Sequence, residues 1–453
     1  MNYTQALDYL YARGHELETM NLGLARIRAL TAASGQPQLQ APSVLIAGTN
    51  GKGSTAAMIF AIARAAGLRV GLYTSPHLVE ITERMRIAEG PNTRDISKDE
   101  FAQYATEVRA LGERLLAAGQ LTSVPSLFEQ LTLLAFLYFA AQKVELAVLE
   151  VGLGGRLDAT NVCAPLVTAI TPIDYDHQRH LGYTLPEIAY EKAGIIKPHT
   201  PVIVAPQKPE VMQVIEARAA EVNAPVVAIE NKLRAARRFQ VDKDVSPASL
   251  AQPGGCRLRY DSRQGSYDVR LNLRGGHQVL NALTALHVAE ALADRGFAIT
   301  PEHIAQGLQQ AEWPGRLEWL QLPGSQLPLL VDGAHNPAGA RVVRKFLEEF
   351  CAHRPVTMVF GAMTDKPFGE MEELLFPAAA KIIAVRVNHP RAADPRALAQ
   401  RAEALDYHVW QAASVRAALQ LAQTITPANG VICACGSLYL VGEIKGLLES
   451  GEI

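Results

Sequence analysis

The segment Gly48–Ser54, GTNGKGS, collects the residue types that can hold a polyphosphate. Gly48, Gly51 and Gly53 let the backbone bend and bring its N–H groups close to phosphate oxygens. A helix starting here adds the positive end of its dipole. Lys52 offers an ammonium for the β- and γ-phosphates, and Ser54 a hydroxyl for Mg²⁺. The general phosphate-loop pattern is not met literally. Ile46 stands where a glycine belongs, and Gly53 stands where Ser or Thr would follow the lysine. Taken alone, the segment reads as a nucleotide loop or as a Gly-rich turn with a solvated lysine.

Other candidates for chemistry lie where apolar runs end. Glu150 interrupts LAVLEVGLGG, and a carboxylate there needs a compensating cation. It reads as a Mg²⁺ ligand or as a turn-binding cap. His177 follows Ile170–Ile173 in ITPIDYDHQRHLG, beside Asp174, Asp176 and His180. That spacing is shared by metal sites and solvated loops. Lys192, in YEKAGIIKP, faces apolar neighbours beside Glu191, as a functional lysine or a snorkelling one would. Downstream, VDGAHNP ends a strand with Asp332, His335 and Asn336, and Pro337 is placed to open a helix. These polar groups suit ribose or phosphate, or a capped tight turn.

The elements that must position these residues alternate. Ser43–Ala47, then 70–73, 146–151, 167–173, 201–205 and 225–229 are short β-branched runs separated by helical stretches. Near-continuous apolar strands of this kind predict an α/β fold with a parallel sheet covered on both faces. Ligands then sit beyond the carboxyl ends of the strands. Residues 254–274 alternate around a polar turn and predict a small antiparallel hairpin. Helices are expected at Val279–Ala293 and Pro301–Gln310. The break at WPGRLE marks a joint, giving domains over 1–311 and 312–453. Beyond it, PLLVDGA, VTMVFGA, KIIAVRV and GVICACGS predict a second, smaller α/β domain.

Composition limits the partners. The chain has 453 residues and a net charge of −2, with 49% apolar and 19% charged residues. No field favours nucleic acid or an anionic membrane. The run Leu131–Ala141 is about half a membrane span and predicts a buried helix. The start, MNYTQALDYLYARGHE, shows no secretory leader. Five cysteines without a CxxC suggest buried thiols in a reducing cytoplasm.

Ten motifs appear in order: GTNGKGS, SPHL, ERMRI, LEVGLGGRLDATN, DHQRHLG, YEKAGIIKP, HQVLNA, WPGRLE, DGAHNP and CGSLYLVGE. Together they resemble the folylpolyglutamate synthase/dihydrofolate synthase family of the Mur ligase superfamily, over almost the whole chain. The resemblance implies an N-terminal ATP-binding domain and a Rossmann-like C-terminal domain, with the active site between them. By motif it implies that Asn50, Gly51, Lys52 and Gly53 hold ATP phosphates, and that Asn281, Arg316, Asp332 and His335 also contact ATP. It implies two Mg²⁺ sites around Ser54, Ser75, Glu150 and His177. Lys192 matches a lysine carried as N6-carboxylysine, and Lys52, Lys192, His177 and Arg316 are the expected catalytic groups. Ser126, Leu127, Phe128, Glu129, Leu157, Asp158 and Ala159 match positions lining a pterin pocket, and Asn21–Ile27 resembles a segment bordering it. Asp365, Lys366, Arg391 and Ser437 are weaker candidates for incoming glutamate. Two positions depart from the family pattern: Tyr175 stands where Leu is frequent, and Pro367 where an acidic residue is.

The resemblance implies action on ATP, L-glutamate and dihydropteroate or folates; composition points to the cytoplasm with no nucleic acid or membrane, and a monomer is the default expectation. A carboxylate would be activated as an acyl phosphate and joined to glutamate, with release of ADP. RLDATN is like the form found in enzymes performing both folate steps. Alternatives are a folylpolyglutamate synthase alone, a Mur-type ligase for a cell-wall precursor, or a non-enzymatic nucleotide switch.

Overall fold

β1 (Ser43–Ala47) shows how the first domain is built. Its side chains alternate between two cores, Leu45 and Ala47 on one face and Val44 and Ile46 on the other. A strand buried on both faces belongs at the centre of a sheet covered by helices. The computed structural model describes residues 1–12, 23–243 and 255–453.

Eight strands form the first sheet: β1, β2 (Val70–Tyr73), β3 (Met85–Glu89), β4 (Asn92–Asp95), β5 (Leu146–Glu150), β6 (Pro165–Ile170), β7 (Val202–Val204) and β8 (Val226–Ala228). Their order is β4-β3-β2-β5-β1-β6-β7-β8. From β2 to β8 the pairing is parallel, as the apolar runs predict. β3 and β4 add an antiparallel edge that the sequence pattern does not announce. A tight turn at Gly90 joins them, so no crossover helix is needed. β4 is mostly exposed and carries Arg94 and Asp95, charges that blunt a free edge.

The helix Leu127–Ala141 contains the longest apolar run and is buried almost throughout. The expected hairpin is β10 (Cys256–Asp261) with β11 (Ser266–Arg270), and β9 (Phe239–Lys243) completes a separate three-stranded sheet. This sheet packs its inner face against the helix His277–Ala293. Behind the phosphate loop, that helix also packs against the helix Lys52–Ala65.

The second domain holds β12 (Glu318–Gln321), β13 (Pro328–Val331), β14 (Val356–Phe360), β15 (Lys381–Val385), β16 (Val409–Ala412) and β17 (Val431–Cys435). Their order is β12-β13-β17-β14-β15-β16, parallel except for β12. Cores lie on both faces of this sheet. Asn336 caps the helix Pro337–Phe350 and Pro337 occupies its first turn, as predicted. All five cysteines are buried free thiols. No helix among the described residues is long and apolar enough to cross a membrane.

Candidate active site

The carboxyl ends of β1, β5 and β6 and the Gly333–Asn336 turn after β13 open on one cleft of about 510 Å³. The phosphate loop leaves β1 and enters the helix Lys52–Ala65. Gly51 has φ +89°, and a Cβ there would lie 2.4 Å from Asn281 Oδ1. A Cβ on Gly53 would lie 2.7 Å from the Trp313 ring. Glycine at these positions is therefore a packing requirement as well as a backbone one. The loop is tied to the strand beside it: Thr49 N–H and Asn50 N–H donate to Pro172 O, and Thr49 Oγ1 donates to Asp174 O at 2.9 Å.

Lys52 Nζ folds back on its own loop, donating to Gly48 O and Thr49 O. Lys192 donates to the same Gly48 carbonyl at 2.8 Å from the helix Leu185–Ala193. Only 4% of Lys192 is exposed. Burial, reinforced by Lys52, lowers its ammonium to about 7. Glu150 ends β5, is also 4% exposed, and receives Ser75 N–H at 3.3 Å. Burial pushes its carboxyl up, while Lys52, the Ser75 N–H and Arg316 pull the other way.

His177 sits at the start of the short helix Gln178–Leu181 with φ +50°. Burial lowers its imidazole to about 3, so the ring is neutral at physiological pH. Its neighbour Asp176 accepts Lys366 Nζ at 2.6 Å. Burial alone would raise Asp176, but His335 and Lys366 hold it well below the usual carboxylate range.

The second domain closes the cleft. Both carboxylate oxygens of Asp332 accept backbone N–H groups, from Leu317 and Ala334, which fixes the joint carrying Arg316. Asn336 Nδ2 donates to Asn50 Oδ1 at 3.0 Å, so this domain touches the phosphate loop directly. On the opposite side, Asn281 donates to Gln278, and Gln278 donates to Ser54 Oγ at 3.3 Å.

Two domains with a phosphate loop at their junction can be compared with known proteins. Residues 46–289 match the Mur ligase middle domain, and residues 315–438 match the Mur ligase, glutamate ligase domain. The dihydrofolate synthase/folylpolyglutamate synthase of Bacillus subtilis strain 168 is 34% identical over 94% of this chain and 95% of its own. The chain belongs to the folylpolyglutamate synthase/dihydrofolate synthase family. A further member, folylpolyglutamate synthase of Lacticaseibacillus casei, is 33% identical with full coverage of both chains. The structure of Mycobacterium tuberculosis folylpolyglutamate synthase complexed with ADP and AMPPCP is 33% identical, with a TM-score of 0.83 and 98% coverage of each chain. As a member of this synthase family the protein is an ATP-dependent, amide-forming ligase.

The synthase's residues suit a divalent cation. Ser54, Ser75, Glu150 and His177 all line the cleft. Glu150 is a buried carboxylate that lines the same cleft as the loop that would carry the phosphates. Magnesium beside a nucleotide takes one or two protein oxygens and leaves the rest to phosphate and water. Among the described residues no three His, Cys, Asp or Glu side chains form a dedicated cage.

Not every expected residue faces the cleft. Leu127 and Phe128 line it, whereas Ser126, Glu129, Leu157, Asp158 and Ala159 do not. Ser126 and Glu129 form the capping box of the helix Leu127–Ala141, and Glu129 also takes Arg26 Nε with both oxygens. Asp158 turns inward to accept the N–H groups of Gly152, Leu153 and Thr160, so it shapes the wall. Of the segment Asn21–Ile27, Asn21 and Leu22 lie outside the described residues. Lys366, Arg391 and Ser437 reach the cleft, and Asp365 pairs with Arg391 at 2.9 Å behind it.

Sequence reasoning missed Arg84, Gln278, His389 and Tyr439. Arg84 lines the cleft, donates to His77 Nδ1 at 2.9 Å and is buried. ERMRI holds three charged residues, Glu83, Arg84 and Arg86, so nothing local marks Arg84 as the one that turns into the cleft. His389 stacks on Tyr439 with ring centroids 4.2 Å apart. HPR and SLY in the sequence place each beside a residue already singled out, but nothing local joins them.

Proposed function

We propose that this enzyme adds L-glutamate to dihydropteroate, making dihydrofolate, and to the γ-carboxylate of folates, extending their glutamate tail. The observation that carries the reading is the meeting, across one cleft, of the phosphate loop with Glu150 and Lys192 on one wall and Arg316, His335 and Arg391 on the other.

A carboxylate resists attack by an amine because its negative charge repels the nucleophile. Transfer of the ATP γ-phosphoryl group to it gives an acyl phosphate, with ADP as the leaving group. Lys52 and Arg316 offset the charge that develops on the transferring group. The free amine of glutamate attacks the acyl carbon, loses its proton, and inorganic phosphate departs. His335 and Arg391 stand on the wall from which that amine would enter. Closure of the second domain aligns the reactants and excludes the water that would hydrolyse the acyl phosphate.

Two Mg²⁺ ions, held around Ser54, Ser75, Glu150 and His177, would supply charge neutralisation on the phosphates. Lys192 acts as N6-carboxylysine. Its neutral amine adds to CO2 and releases a proton, which replaces a costly buried cation by an anion beside the loop. The apolar pair Leu127 and Phe128 offers the pterin a flat, dry wall. The enzyme is proposed to act as a monomer, and its buried free thiols suit a reducing cytoplasm.

The deciding experiment is one assay with two acceptors. The protein is incubated with ATP and glutamate, and with dihydropteroate or a reduced folate monoglutamate. Mass spectrometry should show one added glutamyl unit with both. Product from the folate alone would reduce the assignment to chain extension, and product from neither would remove it.

A further inference from the structure

Asp176 is a first-domain carboxylate gripped by side chains of the second domain. Its Oδ1 accepts His177 N–H at 2.8 Å and Lys366 Nζ at 2.6 Å. Its Oδ2 accepts Asn336 Nδ2 at 3.2 Å and faces His335 Nε2 at 3.5 Å. The side chains of Asp176 and Lys366 are each 9% exposed, so the ion pair is nearly dry. Lys366 also meets His177 Nε2 at 3.1 Å, and Asn336 reaches from Asp176 across to Asn50 of the phosphate loop.

The partners come from two separate stretches of the second domain. His335 and Asn336 lie in the turn after β13, and Lys366 lies between β14 and the helix Phe368–Leu375. Two strand ends of one domain thus converge on a single carboxylate of the other. A carboxylate accepts several donors at once, and charge-assisted bonds to it are short and directional. Two donors, Lys366 and Asn336, with the His335 imidazole 3.5 Å away, come from two loops and fix an orientation as well as a distance. An ion pair needed only for packing within a domain has no reason to join these loops to the phosphate loop.

We propose that Asp176 is the positioning residue of domain closure, the seat on which Lys366, His335 and Asn336 dock the second domain against the phosphate loop. Lys366 is then not a group that binds incoming glutamate. Its charge is spent on Asp176, and it brings the loop Met363–Pro367 and the neighbouring Arg391 to the cleft. Both oxygens of Asp176 are occupied by His177 N–H, Lys366 and Asn336, so its removal should slow turnover by loosening alignment while leaving nucleotide capture largely in place.

The test measures closure directly. All five native cysteines are buried, so introduced cysteines at the exposed positions Ala118 and Glu403 take a donor and an acceptor dye selectively. Energy transfer is read in the full chain with and without AMPPCP. Asp176→Asn and Lys366→Met should each change the transfer from that of the parent chain, in the same direction, and the double variant should change it no further than either single change. Lys366→Arg should recover most of the parent transfer. In kinetics, kcat should fall by about tenfold or more while the KM for ATP moves less than about threefold. Unchanged transfer in Lys366→Met, or changes that add in the double variant, would overturn the proposal. If Asp176→Asn does not fold, the transfer in Lys366→Met and its recovery in Lys366→Arg decide the matter by themselves. The kinetic arm rests on the ligase reading; the closure arm needs no acceptor, so the two can fail separately.

Discussion

The ammonium of Lys192 donates to the carbonyl oxygen of Gly48 at 2.8 Å, so a buried helix lysine and the first residue of the phosphate loop form one unit. Burial drives this amine to about 7. Near neutrality a large fraction is therefore unprotonated, and only that form reacts with CO2. Protein stripped of CO2 should regain activity when CO2 is supplied, and at a fixed concentration of dissolved CO2 the initial rate of recovery should rise as pH increases through about 7. The sign also holds for stability. Between the folded value and the ordinary lysine value the unfolded chain binds more protons, so stability rises with pH across that window. Labelled bicarbonate followed by ¹³C NMR checks the modification. Lys192→Ala should abolish both the carbamate signal and the recovery, and a recovery rate independent of pH would count against the assignment.

Lys52→Ala tests the loop itself. Among the described residues Lys52 bonds only to two carbonyls of its own loop, Gly48 O and Thr49 O. Its loss should leave the fold nearly as stable as before. Turnover should fall by about a hundredfold or more, the scale expected when a preplaced positive group is removed from a phosphoryl transfer. Steady-state ADP release together with a melting curve separates the two effects. Near-normal turnover would contradict the reading of the cleft.

The contact between Gly53 and Trp313 gives a double-substitution test. A methyl at Gly53 would approach the indole to 2.7 Å, although alanine is the better helix former. Gly53→Ala should therefore raise the KM for ATP, because Trp313 or the loop must shift. Trp313→Ala removes the obstacle. The double variant should bind nucleotide better than Gly53→Ala alone, and isothermal titration with AMPPCP would read the difference. Additive losses would mean that the two residues do not interact.

These residues also show what local sequence can carry. The loop Gly48–Ser54 was legible because strand, glycines, lysine and helix are contiguous. The parallel pairing around β1 was legible because buried strands are apolar on both faces, whereas the strand order was not. β4 and β16 were not legible either, since a short, partly exposed edge strand has neither alternation nor a long apolar run. The site divides in the same way. Glu150, His177 and Lys192 betray themselves as polar groups in apolar surroundings. The pairing of Asp176 with Lys366 spans 190 positions, and no local pattern records it. Asp158 and Glu129 read as pocket residues by position. Their side chains are instead taken up by backbone N–H groups and by Arg26, an arrangement visible only in three dimensions.

Glu129 and Phe128 are neighbours with opposite expected effects, which tests whether the pocket wall has been drawn correctly. Glu129 closes the capping box of its helix and receives Arg26 at 3.0 Å, with side chains 5% and 13% exposed. Glu129→Ala leaves a nearly buried guanidinium without this partner and strips an N-terminal cap. Losses on the order of 3 kcal/mol are usual for breaking such a pair. Its melting temperature should drop by several degrees, while KM for dihydropteroate, measured well below the transition, should stay within about twofold. Phe128 faces the cleft and packs against Gly152. Phe128→Ala removes apolar wall that a flat ring would cover, so KM for the acceptor should rise by about tenfold or more, at about 25 cal/mol for each Å² no longer buried. The KM for ATP should hardly change. If Glu129→Ala instead raised the acceptor KM at unchanged stability, the carboxylate would have to turn toward the substrate, and the wall would need to be redrawn around it.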